Sequence, residues 1–239
     1  MEALVAVSDL SYRYPDGTAA LNGVSFAVAA GERVALLGPT GSGKSTLLQH
    51  LNGLLPATAG SVAIAGLTVG PSTLREVRRR VGLVFQDPND QLFLPTLLED
   101  VAFAPLNDGV PPHEAAHLAR ETLAELGLAG VEHRAAHHLS GGERRLAALA
   151  TVLVSRPAVL VLDEPTGDLD ARSRRRLVRL LLRREETLLV ATHDLGIAES
   201  LCRRGVVLHE GRAVADAALG DLLADPALLE RYGLATPLQ

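Results

Sequence analysis

The sequence predicts an α/β fold on a mostly parallel sheet, with a helical segment inserted between its strands. Three observations carry that expectation. Short all-apolar runs at residues 34–37, 81–85, 159–162 and 188–191 have the pattern of strands buried on both faces. A glycine-rich loop, Gly38 to Gly43, joins the first run to a stretch of helical period. From about Thr96 to Leu139 there is no strand pattern at all, only helical spacing and turn residues.

The elements follow in order. Residues 5–12 alternate apolar and polar, Pro15-Asp16-Gly17 marks a turn, and residues 23–29 alternate again. Ala30-Gly31 punctuates before the buried run at 34–37. After the glycine-rich loop, residues 45–54 read as a helix with Leu47, Leu48, Leu51, Leu54 and Leu55 on one stripe. Within the insert, Leu118, Thr122, Leu123 and Leu126 give a helical stripe that opens after Pro111-Pro112 and stops at Gly127. A second helix is expected over about 142–155. The tail alternates at 206–208 and 213–214 around Glu210-Gly211, and two short helices close it. One of these begins at Asp225-Pro226, a capping residue with proline at the first helical position. No repeat, heptad or low-complexity linker divides the chain, so a single domain over 1–239 is expected.

Composition narrows the function classes. The 239 residues are 47% hydrophobic and 21% charged, which excludes a disordered chain. No apolar run reaches the roughly 18 residues of a membrane span. Met1-Glu2-Ala3-Leu4 lacks the basic-then-apolar pattern of a secretory leader, and the lone Cys202 has no partner for an internal disulfide, so a reducing compartment is expected. A net charge of -5 argues against nucleic acid as a partner. Of the 23 basic residues only Lys44 is a lysine. Where arginine stands everywhere else, that one ammonium is expected where a guanidinium does not fit.

Lys44 lies in Gly38-Pro39-Thr40-Gly41-Ser42-Gly43-Lys44-Ser45, which fits G-x-x-x-x-G-K-[ST] between a buried strand and a helix. Such a loop turns successive backbone N–H groups inward around phosphate oxygens, and the helix N-terminus adds a favourable dipole. Lys44 would bridge the β- and γ-phosphates of a nucleotide and the Ser45 hydroxyl would hold Mg²⁺. The run 159–162 ends in Asp163-Glu164, and adjacent acids on a strand face opposite ways. Asp163 would then reach Mg²⁺ through water, and Glu164 would polarise the attacking water. Leu139-Ser140-Gly141-Gly142-Glu143 precedes a helix that Ser140 can cap, and its glycines expose N–H groups for a second anion.

These motifs, with Gln86 after a strand, residues 167–170 and Ala191-Thr192-His193-Asp194, resemble the ATP-binding cassette ATPases over nearly the whole chain, in order and spacing. The resemblance implies a P-loop NTPase core with a mostly parallel sheet, an antiparallel N-terminal β-subdomain, and a helical subdomain, about 96–155, inserted in the RecA-like core. It implies ATP and Mg²⁺ as cofactors and adds Thr46 to the phosphate loop. Tyr14 looks like the aromatic that stacks on adenine, Gln86 like the glutamine that senses Mg²⁺ and the γ-phosphate, and His193 like the switch histidine. Asp170 and its neighbours would communicate across a dimer. In such a head-to-tail pair, ATP is held between the phosphate loop of one copy and Ser140-Gly141-Gly142 of the other. The implied place is the cytoplasmic face of the cell membrane.

A narrower resemblance joins residues 85–93, Glu99-Asp100-Val101-Ala102-Phe103 and His137-His138-Leu139 to energy-coupling-factor importers. Pro105-Leu106-Asn107 is similar to the cobalt and nickel uptake ATPases. This implies a transport ATPase for a divalent cation, Co²⁺ or Ni²⁺, with a vitamin importer or a non-transport cassette ATPase as alternatives. Integral membrane subunits would dock at Asp87 to Phe93, and the second ATPase would be another copy or a related chain. Two departures stand out: Asp168, where relatives carry a small residue, and Glu143-Arg144-Arg145 in place of glutamine followed by basic residues.

Other signals have plainer readings. His113 and His117 stand four apart on a helix, a spacing that can chelate, but no completing ligand is poised and a solvated helix is favoured. The arginines between 172 and 184 can mean lipid or nucleic acid; a solvated helix face over Leu177, Leu180 and Leu181 is favoured. Cassette proteins of DNA repair or translation carry long insertions, whereas 53 residues lie between Gln86 and Ser140. A GTPase needs an Asn-Lys-x-Asp base reader, and Lys44 is already committed to phosphate.

Overall fold

The computed structural model describes residues 3–167 and 169–234; Met1, Glu2, the departure at Asp168 and residues 235–239 lie outside the described residues. In chain order the elements are strands β1 (Ala3–Arg13), β2 (Ala19–Ala29) and β3 (Arg33–Leu37), helix α1 (Lys44–Leu51), strands β4 (Ala59–Ile64) and β5 (Leu67–Thr68), helix α2 (Leu74–Arg80) and strand β6 (Val81–Val84). Then come helices α3 (Leu97–Asn107), α4 (Pro112–Glu125) and α5 (Gly141–Leu153), strand β7 (Val159–Asp163), helix α6 (Ala171–Leu182), strand β8 (Thr187–Thr192) and helix α7 (Leu195–Leu201). Strands β9 (Arg204–His209) and β10 (Arg212–Ala218) and helices α8 (Leu219–Leu223) and α9 (Pro226–Arg231) follow among the described residues. It divides into two compact units: residues 1–83, 158–164 and 185–239 form one, and residues 84–157 and 165–184 the other.

The first unit holds two sheets. β2-β1-β4-β5 is antiparallel, its buried face built from Val5, Val7 and Leu10 on β1 and Leu21, Val24 and Val28 on β2. The other sheet runs β10-β9-β3-β8-β7-β6, with β3 parallel to β8 and β9, β7 parallel to β8, and an antiparallel β9–β10 edge. The edge turn is at Glu210-Gly211, both at positive φ (47° and 72°), as a tight hairpin requires. Every residue of β7 and β8 is buried, consistent with the apolar runs at 159–162 and 188–191 that they contain. α1 buries Leu47, Leu48 and Leu51 but stops short of Leu54. Gly53 takes φ 68° and Leu54 is 44% exposed, so the last two leucines of the expected stripe are not helical. Asp225 caps α9, its side chain accepting from Leu228 N–H at 3.0 Å.

The second unit is mainly helical. α3, α4 and α5 contact one another and α6 lies on α5. α4 starts at Pro112, where the Pro111-Pro112 pair placed its opening. Its buried face is Ala115, Ala119 and Leu123, with Leu118 and Thr122 only half-buried. Asp170 caps α6 through Arg172 N–H (2.8 Å) and Ser173 N–H (3.0 Å); the Ser173 hydroxyl, donating at 2.7 Å, and then those two N–H bonds hold its carboxyl below the usual range. The arginine-rich helix buries Leu177 and Leu181. Arg176 has a structural task as well, donating to the carbonyls of Leu126 (2.6 Å) and Gly127 (3.1 Å) where α4 ends. His113 and His117 are exposed, His117 pairing with Glu121 at 3.3 Å, and no metal-ligating group of three forms among the described residues.

Candidate functional site

The parallel register of β3, β8 and β7 assembles the first part of the site. Leu37 pairs with Thr192 and Asp163 with Ala191, so Gly38, His193 and Glu164 all leave the carboxyl ends of neighbouring strands at one level. Ligands of open α/β sheets bind at that edge. The loop from Gly38 curls over it. Gly43 has φ 104°, and a Cβ there would stand 2.5 Å from the backbone oxygen of Ala20, so only glycine admits this path.

Lys44, 6% exposed, donates from Nζ to Gly38 O (2.7 Å) and Pro39 O (3.0 Å) and stands 4.0 Å from Glu164 Oε1. Burial depresses its pKa, against the pull of the Glu164 and Asp163 charges. A polyanion entering the loop would meet a desolvated cation already aimed into the cradle. Ser45 follows at the start of α1, and Asp163 ends β7 with its carboxyl buried. A hydroxyl and a carboxylate are the hard oxygen donors that Mg²⁺ takes, so this pair fits that ion.

Glu164 is the most constrained residue of the site. Its φ is 41°, a left-handed conformation costly for a residue with a Cβ. Its N–H donates to Ala191 O (2.9 Å), Oε2 accepts from Thr192 Oγ1 (3.0 Å), and Oε1 accepts from His193 N–H (3.1 Å) and lies 2.8 Å from His193 Nδ1. The sequence assigned no role to Thr192. Fully buried, it aligns the carboxylate and also accepts from Asp194 N–H at 3.0 Å. Tyr14 is half-buried, its hydroxyl 2.9 Å from Thr46 Oγ1 and its ring edge-on to Tyr12. Tyr14 is therefore tied to the phosphate-loop helix, the place from which it can meet a base.

The remaining residues expected at the site belong to the second unit. Gln86 is exposed, and with Gly141, Arg145 and Gly167 it lines a polar pocket of about 470 Å³. Ser140 forms a full capping box with Glu143: Ser140 Oγ accepts from Glu143 N–H (3.3 Å) and Glu143 Oε2 accepts from Ser140 N–H (2.9 Å). Gly141 and Gly142 form the first turn of α5, so their N–H groups are among the unpaired donors of a helix start. A Cβ on Gly142 would lie 2.5 Å from Ser173 Oγ.

Asp87 to Phe93 makes a short turn, with Asp87 Oδ1 accepting from Asn89 N–H at 2.8 Å. Phe93 (64% exposed) meets Phe103 (43% exposed) edge-on with ring centroids 5.3 Å apart. Behind them the buried Asp100 accepts from the N–H groups of Phe93 and Leu94, both at 3.0 Å, so a carboxylate dictates how Phe93 is displayed. Burial raises the Asp100 pKa despite those two bonds. The folded state thus holds its proton to higher pH than the unfolded chain. The stability from Asp100 is fully present below the reference value of 3.8 and falls as pH rises through the folded pKa. Asp100→Ala, which orphans two backbone donors, is expected to cost about 2 kcal/mol at pH 7. Asp100→Asn keeps an acceptor and is expected to stay within about 1 kcal/mol. Urea unfolding at pH 4 and pH 7 checks both, with Asn flattening the difference between the two.

Fold and site together define a phosphate-loop nucleotide hydrolase with a second, helical unit. The profile of the ABC transporter family matches residues 21–167, and the chain belongs to that family, as an ATPase of the energy-coupling-factor type. It is 50% identical, over 97% of this chain and 88% of the relative, to a putative ABC transporter ATP-binding protein of Streptomyces avermitilis. It is 44% identical to the energy-coupling factor transporter ATP-binding protein EcfA of Methanothermobacter thermautotrophicus, over 98% of this chain and 77% of that one. Among solved structures, cbiO1 of Clostridium perfringens, described as part of the ABC transporter complex cbiONQ, superposes with TM-score 0.83 at 32% identity, covering 99% and 97% of the two chains. The dimeric cassette MJ0796, in a post-hydrolysis state bound to ADP and Pi, gives 0.81 at 28% identity, over 90% and 98%. The chain therefore binds ATP and hydrolyses it in connection with transport.

Proposed function

We propose that this chain is the motor subunit of a membrane importer for a divalent metal cation, Co²⁺ or Ni²⁺. It acts as one ATPase domain over 1–239, with its helical part at about 96–155. The convergence of Lys44, Glu164, Thr192 and His193 at one sheet edge carries the motor reading. Gly38 to Thr46 hold the phosphates, with Lys44 leaving the Gly38 and Pro39 carbonyls for the nucleotide. Bound Mg²⁺ supplies charge neutralisation on the phosphates, and Ser45 and Asp163 are the residues that would hold it, with Gln86 kept as the glutamine that senses that ion by family resemblance. Tyr14 stacks on the base. Glu164 orients the attacking water and takes its proton, while His193, now 2.8 Å from that carboxylate, exchanges it for the γ-phosphate. Ser140, Gly141 and Gly142 cap the nucleotide of a second copy, or of a related ATPase, so that closure of the pair needs ATP.

No helix among the described residues is long and apolar enough to cross a membrane. The exposed Phe93–Phe103 pair at the end of the Asp87–Phe93 stretch supports docking of an integral membrane subunit there, and with it the reading that the chain works at the cytoplasmic face of the membrane. The likeness to cbiO1 and the Pro105-Leu106-Asn107 segment favour the metal cargo. The relatives named EcfA leave a vitamin as the second reading, and a non-transport role comes third. Labelled Co²⁺ and Ni²⁺ uptake, measured in cells carrying this chain with its membrane partners, decides between them. Uptake lost in Glu164→Gln establishes motor and cargo together. A complex that hydrolyses ATP but moves neither metal shifts the cargo to a vitamin or another small nutrient.

A further inference from the structure

Arg145 has no part in the phosphate chemistry, yet it is among the most buried charged residues of the second unit, at 5% exposure. From the second turn of α5, Nη1 donates to Phe85 O (3.1 Å) and Gln86 O (2.6 Å), and Nη2 donates to Gly167 O (3.4 Å). One planar guanidinium thus joins three segments of chain: the root of the Gln86 loop, the helix that begins at Ser140, and the stretch three residues beyond Glu164 in sequence. The root is held from the other side too, because Phe85 N–H donates to Gln91 Oε1 (3.2 Å), and Gln91 Nε2 returns to Ala148 O of the same helix (2.9 Å). The backbone of Gln86 is clamped to α5 while its side chain stays exposed.

We infer that Arg145 is a positioning residue for ATP hydrolysis, which couples the Gln86 loop to the α5 terminus through the carbonyls of Phe85, Gln86 and Gly167. The inference rests on the proposed role of Gln86. A charged donor on carbonyl oxygens makes a strong, directional link, and the five-donor fork spans acceptors that an ammonium cannot reach together. Movement of α5 is then transmitted to Gln86, and Gln86 settles only when α5 is in place. Arg145 directs its guanidinium at the carbonyls of Phe85, Gln86 and Gly167, so its loss is expected to act on turnover more than on nucleotide affinity.

The test compares Arg145→Met, Arg145→Lys, Gln86→Ala and Arg145→Met/Gln86→Ala in the purified full chain. Arg145→Met is expected to lower kcat about tenfold, to raise the Mg²⁺ concentration giving half-maximal rate, and to keep the ATP dissociation constant within about twofold. Arg145→Lys, which retains the charge, is expected to lose about threefold, and it carries the test if the Met variant does not fold. If Arg145 acts through the loop, Arg145→Met adds nothing further in the Gln86→Ala background. Full additivity with an active Gln86→Ala effect overturns the coupling alone. A silent Gln86→Ala removes the Gln86 role and this inference with it, and an unchanged kcat in Arg145→Met removes Arg145.

Discussion

Glu164→Gln is expected to lower kcat about a thousandfold while ATP still binds within about twofold of the native affinity. The amide keeps the volume and can still bond Thr192 and His193, which hold the native carboxylate at 3.0 and 2.8 Å, so the local structure survives. What it loses is the capacity to take a proton from water. With hydrolysis blocked and the nucleotide retained, the variant should accumulate as an ATP-dependent dimer. Single-turnover hydrolysis and size-exclusion chromatography, with and without ATP, check the two halves. A native rate removes Glu164 from the chemistry. A monomer that holds ATP removes the closed pair.

Lys44→Arg is expected to weaken ATP binding about a hundredfold, roughly 2.7 kcal/mol, without loss of the fold. The ammonium sits 2.7 Å from Gly38 O and 3.0 Å from Pro39 O and is 6% exposed, so a longer, planar guanidinium is expected to displace its surroundings. The charge is retained in the variant, so the loss reports shape and not electrostatics. Titration with a fluorescent ATP analogue measures it, and thermal melting shows whether the phosphate loop is otherwise intact. Near-native affinity would mean that the chain's sole lysine is incidental.

Much of this was legible from residue order. The buried runs at 34–37, 159–162 and 188–191 became β3, β7 and β8, because a strand covered on both faces needs apolar residues without alternation. Ser140 announced a helix start as a capping residue, and the structure adds the reciprocal bond to Glu143 three places on, an interaction confined to one turn. Less visible were β4 and β5, where Ala59, Gly60 and Ser61 leave only Val62 and Ile64 to mark a buried face. The run of leucines after Lys44 overstated α1, since periodicity does not reveal that Gly53 turns the chain away. In α4 the buried alanines were masked by more apolar neighbours that prove half-buried.

The sequence by itself determined the phosphate loop, the acidic strand end, the capped Ser140 helix and the family they resemble, because each is set by neighbours within about one turn or strand. The tertiary structure alone decided that Glu164 adopts φ 41° and binds His193 across 29 positions, that Thr192 aligns its carboxylate, that Asp100 displays Phe93, and that Arg145 clamps carbonyls 59 and 60 positions away. Those contacts depend on strand register and helix packing, which bring together residues whose spacing in the chain carries no period to read.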